Sequence, residues 1–595
     1  MKKKIAASRI TRNLFPIGSK RRKYIVRIVK KTMNKKTVTN YSDWQKRVEP
    51  MSFDKSKNYS HKYKPLISIV VPCYNTPFKY IDPMVDSVLQ QDYKNWQLCL
   101  VDGSSEQQSK ELIAKYSNID VRIQYLSVEN TGIVGNTNQG IGIATGEFVA
   151  FLDHDDTLSP HALSEVIREL NVNAELDLIY SDEDKISDDG RNRLLPFFKP
   201  DWSPELLLGV NYVTHFVVAR KTIIDEIGGL RAGFDGAQDY DFLLRFTEKT
   251  KNIKHIPKIL YHWRLADGST SKDVGEKDYA DTAGRRALRD AVSRRNIDAK
   301  VVEITERPTN YRLRYALPGK KPLISIIIPF KDKVEYLQRC IPSILEKTTY
   351  DNYEIILLSN NSTEQETHDY LKILKNDKRC KVFEWNHKFN YSAVNNYGRQ
   401  KATGEYLVFL NNDTKIITPS WIEELVGVAF QPQTGAVGPL LRYPDKSIQH
   451  AGVILGMGGM AGHVFRLLQP EQWTDFGLPC WPRNYLAVTG ACLAINANKF
   501  DELGGFDEKL TIGGNDVALG IKAHEAGYRN VYWPFVELIH YENISVGPYS
   551  SNVPIGDYNR SMKYYSKYLK TGDPFFNPNL SLNNEQIALG DKHDH

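Results

Sequence analysis

The 595-residue sequence predicts an α/β fold built as two tandem copies of one domain, each on a mostly parallel sheet. Three observations predict it. Pro65-Leu-Ile-Ser-Ile-Val-Val-Pro72 returns as Pro322-Leu-Ile-Ser-Ile-Ile-Ile-Pro329, 257 residues later. Ala144-Thr-Gly-Glu-Phe-Val-Ala-Phe-Leu-Asp-His-Asp-Asp156 returns as Ala402-Thr-Gly-Glu-Tyr-Leu-Val-Phe-Leu-Asn-Asn-Asp-Thr414, 258 residues later. Gly228-Gly229 ahead of Gln238-Asp239 returns as Gly504-Gly505 ahead of Asn515-Asp516, 276 and 277 residues later. Ordered matches at a near-constant offset mark an internal repeat. The growth in offset puts an insertion of about 19 residues into the second copy between Asp413 and Gly504, with Gln449–His463 as part of it.

Within a copy the pattern alternates strand and helix. Leu66–Val71 is a short β-branched run closed by Pro72, as in a buried strand. Ile81, Val85, Val88 and Leu89 then fall on one helical face. Gln97–Val101 is a second apolar run and stops at the turn cluster Asp102-Gly103-Ser104-Ser105. Gly132–Ala144 reads as a helix, and Phe148–Leu152 as another buried strand ending at Asp153. Such alternation implies right-handed crossovers, with ligands bound beyond the carboxyl ends of the strands. The polar clusters all lie at such ends. The chain divides into an arm (1–60), a first domain (61–305), a linker (306–321), a second domain (322–552) and an aromatic-rich C-terminal tail (553–595).

Composition excludes several classes. Hydrophobic residues at 41% and charged at 25% are those of a folded globular chain. The six cysteines show no Cys-x-x-Cys spacing, which argues against zinc-ribbon and disulfide scaffolds. Of 78 Lys and Arg, fourteen fall in residues 1–40, which hold none of the 71 Asp and Glu; the remainder therefore carries a net charge of −7. An acidic body repels phosphate backbones, so nucleic acid is not an expected partner. No continuous apolar run reads as a membrane span or a signal peptide. The arm itself pairs Tyr24 with Ile28 and Ile25 with Val29 amid Lys and Arg. Residues 1–36 therefore read as a basic amphipathic segment for an anionic membrane surface, with a solubilising tail or an RNA-binding arm as rivals.

Three clusters carry candidate chemistry. Asp153 and Asp155 follow a buried strand at i and i+2, where two carboxylates can share a hard cation. Asp239 opens an amphipathic helix and can serve as a helix cap or as a general base. His262 can add an imidazole to a cation, and Arg264 can clamp a diphosphate as a charge-assisted fork.

With these residues in place the sequence resembles the inverting family 2 glycosyltransferases of the GT-A (Rossmann-like) fold. The matching segments are Ile69-Val-Val-Pro-Cys-Tyr-Asn75, Val101-Asp-Gly-Ser-Ser105, the segment ending at Asp156, Gln238-Asp239 and His262-Trp-Arg264. The second copy supplies Phe409-Leu-Asn-Asn-Asp-Thr414, Gln449-His-Ala-Gly-Val453, Val488-Thr-Gly-Ala-Cys492, Asn515-Asp516 and His540. The likeness is closer to two-domain transferases of bacterial O-antigen, capsule and rhamnan chains. It implies a UDP- or dTDP-sugar donor, Mn²⁺ or Mg²⁺, a lipid-linked glycan acceptor, and a cytoplasmic enzyme at the inner face of the cell membrane. It also implies roles. Asp102 reads the donor base, with Pro72, Asn130, Gly132 and Asn138 nearby; Asp153 and Asp155 hold the metal with His262; Asp239 takes the acceptor proton. In the second copy Asn360, Asn396 and Asn411 take donor positions, Asp413 and His540 the metal, and Asp516 the base. Asn360 and Asn411 replace carboxylates, so the first copy is expected to be the more complete site. The second is expected to act on another donor or acceptor, with a silent scaffold or glycan-binding module as the rival reading. The other readings weighed are a nucleotidyltransferase and a non-catalytic nucleic-acid-binding protein.

Overall fold

The computed structural model describes residues 40–53, 62–265, 274–317, 319–541 and 553–591. The first copy forms a nine-stranded sheet. Its order is Ile123–Ser127, Trp96–Asp102, Ile67–Cys73, Phe148–Phe151, Val217–Arg220, Leu178–Ile186, Ile253–Arg264, Thr157–Leu158, with Arg193–Phe197 added beside Leu178–Ile186. The first four strands are parallel, joined by crossovers that contain Phe78–Leu89, Gln107–Ala114 and Gly132–Ile143. Their fully buried apolar runs suit a sheet covered on both faces. Beyond Phe148–Phe151 the sheet is mixed: Val217–Arg220 runs antiparallel to both neighbours, and Ile253–Arg264 lies parallel to Leu178–Ile186.

The second copy repeats this order in a ten-stranded sheet: Cys380–Glu384, Tyr353–Ser359, Ile324–Phe330, Tyr406–Leu410, Cys492–Asn496, Thr434–Arg442, Arg529–His540, Thr414–Ile416. Ile448–His450 and Arg483–Tyr485 extend it, and Val453–Leu455 pairs with Ala461–His463 in a separate hairpin. Register makes the two copies comparable residue by residue. Phe148 lies opposite Arg220, and Tyr406 opposite Asn496, so His215 corresponds to Ala491. Asp184 lies opposite His262, and Arg442 opposite Ile539, so His262 corresponds to Ile539 and Trp263 to His540.

The Gly-Gly repeat has a packing cause. Gly229 and Gly505 sit at φ +66° and +61°, and a Cβ there would lie 2.5 and 2.8 Å from Asn138 Oδ1 and Asn396 Oδ1. Each asparagine brackets the loop from both sides: Asn138 Nδ2 donates to Leu230 O (2.8 Å) and its Oδ1 accepts from Leu230 N (2.9 Å). Asn396 does the same with Phe506 (2.9 and 3.0 Å). Asn138 and Asn396, two of the five asparagines expected at the donor, are thus engaged in holding a loop.

Residues 306–321, read as a linker, contain the strand Arg312–Tyr315, which pairs antiparallel with Ala299–Val302. One apolar core passes through it: Tyr311 stacks on Tyr240 (5.1 Å) and Tyr315 packs on Trp533 (5.7 Å). The copies are further tied by Arg529, whose guanidinium forks onto Glu205 at 2.8–3.1 Å. The end of the region read as an arm is also part of the body. Trp44 is 1% exposed and packs on Phe198, while Arg193 pairs with Glu49. The tail crosses back to the first copy, where Asn577 Nδ2 donates to Asp182 Oδ2 (2.8 Å) and Lys199 O (2.9 Å). The membrane-binding segment expected in residues 1–36 lies outside the described residues. Among the described residues no helix is long and apolar enough to cross a membrane.

Candidate active sites of the two copies

The second copy opens a cavity of about 570 Å³ at the carboxyl ends of its parallel strands. Asn360, Asn411, Asp413, Asp516 and His540 all line it, as do Pro329, Lys331 and, from the insertion, Gln449 and His463. Asp413 Oδ1 lies 3.2 Å from His540 Nε2. Two ligands on adjacent positions of a six-coordinate ion at about 2.1 Å stand about 3 Å apart, so this pair fits a divalent cation. Among the described residues neither Asp413 Oδ1 nor the buried His540 Nδ1 makes a hydrogen bond. Asp516 sits in the first turn of the helix Asn515–Glu525, with its Oδ2 accepting from Gly490 N and its Oδ1 from Val517 N, both at 2.8 Å. Burial raises its carboxyl above the ordinary range, and those two N–H groups oppose the shift. Gly490 is required there, because a Cβ would lie 2.7 Å from Tyr391 Oη. Asn360 donates to Trp385 O (3.0 Å) and His387 O (2.9 Å), using an amide N–H that the aspartate of the first copy does not have.

Among the described residues, one cavity of the first copy measures about 100 Å³. Pro72, Asp153 and Asp239 line it; Asp102, Asp155, Asn130, Gly132, Asn138, His262 and Arg264 do not. His215 lines this cavity and stands where the second copy has Ala491. Its Nε2 is 3.9 Å from Asp153 Oδ2 and its Nδ1 3.6 Å from Glu183 Oε2. Burial pushes this imidazole down, but Glu183, Asp153 and Asp156 outweigh it and carry it up to about 9. Burial also raises Glu183, yet Lys199 and then His215 bring it to about 2. Asp239 Oδ2 accepts from Asn211 Nδ2 at 3.0 Å; burial raises its carboxyl, and His215 opposes that.

His262 does not join the acidic pair. Alternate residues of a strand face opposite sides. Tyr261 and Trp263 face the cavity side, where both rings contact His215 (4.8 and 5.5 Å). His262 faces the other way and bonds Asp184 Oδ1 at 2.6 Å. Arg264 is 2% exposed, with Nε on Asp155 O (2.6 Å) and Nη1 on Asp188 O (3.1 Å), so its fork holds backbone carbonyls. Asp156 is locked by Tyr261 Oη and Arg264 N, both at 2.6 Å. Asp102 is fully buried and accepts from Ser104 N and Tyr125 Oη, both at 2.9 Å. Asn130 is exposed and its Oδ1 accepts from Gly132 N at 3.0 Å. The imidazole that faces Asp153 is thus that of His215, and among the described residues the set of Asp153, Asp155 and His262 expected of the first copy does not form. Among the described residues no three His, Cys, Asp or Glu side chains converge as a complete metal cage in either copy.

The family model for glycosyl transferase family 2 matches residues 68–228 and 325–504, which is more than half of the chain. The chain belongs to glycosyl transferase family 2. One matched region falls in each copy, and both end before the late strands Ile253–Arg264 and Arg529–His540. It is 41% identical over 530 residues to the O-antigen biosynthesis protein RfbC of Myxococcus xanthus, covering 88% of this chain and 41% of that protein. It is 40% identical over 534 residues to protein y4gI of Sinorhizobium fredii, covering 88% and 58%. The chain thus spans about half the length of these relatives. Among solved structures, GalNAc-T7 with UDP, GalNAc and Mn²⁺ aligns at 20% identity and a TM-score of 0.36, over 46% of this chain and 53% of that one.

Proposed function

We propose that the chain transfers a sugar from a UDP- or dTDP-sugar to a growing bacterial surface polysaccharide, and that the second copy carries out the transfer. The observation behind this is the convergence of Asp413, His540 and Asp516 on a cavity of about 570 Å³, within the range of small-ligand sites. The O-antigen relative supports the polysaccharide class. Asp516, at the mouth of the helix and raised by burial, is suited to accept the proton of an acceptor hydroxyl as that oxygen attacks the anomeric carbon. Direct displacement inverts the anomeric centre. Asp413 and His540 would hold Mg²⁺ or Mn²⁺, which when bound supplies charge stabilisation for the departing diphosphate. Asn411, with its amide in place of a carboxylate, leaves that site less negative. A lipid-linked acceptor at the inner membrane face, met through residues 1–36, completes the reading.

The first copy is proposed to be a structural partner rather than a second transferase, because His215 and Trp263 occupy the places of Ala491 and His540. Calorimetry of UDP and of dTDP with Mn²⁺ on the intact chain tests both parts. One site per chain, lost in Asp413→Ala and kept in Asp155→Ala, is the expected result. A site lost in Asp155→Ala alone overturns the assignment.

A further inference from the structure

Arg483, on the strand Arg483–Tyr485 of the second copy, is a buried cation, 2% exposed, that forms no ion pair among the described residues. Its Nη2 donates to Phe476 O at 2.6 Å and Leu478 O at 3.4 Å. Its guanidinium carbon stands 4.6 Å from the centre of the Phe476 ring, 5.4 Å from Phe465 and 5.5 Å from Trp481. Those carbonyls and ring faces offset part of the charge. Its Nε and Nη1 are buried and make no hydrogen bond among the described residues. The ionisable groups that act on it most are Tyr485, Tyr532, Cys480 and Tyr212, none of them a carboxylate. Arginine keeps its proton in proteins, so burial cannot relieve this charge by neutralising it.

Two tyrosines share the setting. Tyr485 is two residues along the same strand, and Tyr532 lies directly opposite Arg483 in the antiparallel pair, so all three side chains leave the sheet on one face. The tyrosine rings are 6.4 Å apart. Tyr485 Oη and Tyr532 Oη are buried too, and among the described residues they bond neither the guanidinium nor any other group. This face thus presents guanidinium N–H and two O–H donors around one positive charge. A water brings no charge and has two lone pairs to accept with, whereas a halide accepts from every direction and cancels the charge. Asn484, between them, takes the opposite face, where its Oδ1 accepts from Ser203 Oγ of the first copy at 2.9 Å.

We propose that Arg483, Tyr485 and Tyr532 bind a halide-sized monovalent anion inside the second copy, behind the strand that meets the first. The inference does not depend on which copy carries out the transfer.

The test has two arms on the full-length chain. In the first, crystals grown in sodium bromide are measured at the bromine absorption edge. An anomalous peak within hydrogen-bond distance of Arg483 Nη1 is the expected result. Density there without anomalous signal would be water and overturns the proposal, as does bromide found only on the surface as an adventitious ion. In the second arm the chain is dialysed into sodium gluconate and sodium bromide replaces it stepwise at constant ionic strength. The melting temperature should climb with bromide, as a ligand held by the folded chain alone requires, and its dependence yields a dissociation constant. Tyr532→Phe keeps the ring and the guanidinium but removes one donor, and should raise that constant about tenfold. Arg483→Met should abolish the dependence; if it does not fold, Tyr485→Phe and Tyr532→Phe still decide. A melting temperature indifferent to bromide, a dependence that survives in Arg483→Met, or a constant unchanged in both tyrosine variants overturns the site.

Discussion

The two copies share strand order and register but differ in what their strand ends hold. In the second copy the chain passes the site as Thr489-Gly490-Ala491, with no bulk to fill it, and the cavity is about 570 Å³. In the first the same stretch is Val213-Thr214-His215, and the imidazole lies between Asp153 and Glu183 in a cavity of about 100 Å³. The late strand differs in the same sense, with His540 facing Asp413 and Trp263 facing His215. Motif letters and site geometry are therefore separable. The first copy has the richer acidic motif, yet among the described residues His215 and Tyr261 line its cavity beside Asp153. The second has lost a carboxylate and kept the space.

That contrast can be broken by mutation. The largest effect is expected from Asp516→Asn, which should lower transfer by roughly 10²–10⁴-fold, as loss of a general base does. Asp239→Asn should leave most of the rate, and initial-rate assays on the two variants decide between the copies. The next expectation concerns nucleotide stoichiometry. His215→Ala combined with Trp263→His empties the first cavity and supplies the missing imidazole; calorimetry with Mn²⁺ should then show binding beyond one site per chain. A wild-type chain that already binds two would mean that the copies do not differ in nucleotide binding.

Smaller effects sharpen the role of the tail that ties the copies together. Asp182 is fully buried and takes donors from Asn577, Lys199 N and His255. Asn577→Ala removes one of them and should cost about 1–3 kcal/mol in chemical denaturation, the usual penalty for leaving a buried polar group short of a partner. Asp573 gives a signal that depends on pH. Burial carries its carboxyl from 3.8 up to about 7, with Leu455 N and Phe575 N opposing. Between those values the folded chain keeps a proton that the unfolded chain releases. The contribution is present in full below about 3.8 and is lost as pH rises through about 7. Asp573→Asn should flatten the fall in stability between pH 5 and pH 8, and denaturation midpoints at those two values measure it.

Some of the site was legible before the structure. Offsets of 257 and 258 place Asn411 and Asp413 against Asp153 and Asp155, and an offset of 277 places Asp516 against Asp239. The same 277 carries His262 to Ile539 and Trp263 to His540, so the mismatch of the two histidines was present in the numbers and masked by the shared residue type. A one-residue slip on a strand moves a side chain to the opposite face, and that is why His262 meets Asp184 and not the acidic pair. His215 was harder to find. Nothing around it resembles a motif, and it becomes visible only when Arg220 and Asn496 are aligned through the strands beside them.

The repeat and the strand–helix alternation are legible in the amino-acid order, because buried apolar runs and turn residues at fixed spacing dictate local structure and its order. The tertiary structure decided the rest. Whether Asn138 and Asn396 bind a ligand or a loop, which late-strand residue faces the site, and how much room each copy leaves all depend on neighbours more than fifty residues away. Facing and volume are properties of packed surfaces, and only the folded chain brings those surfaces together.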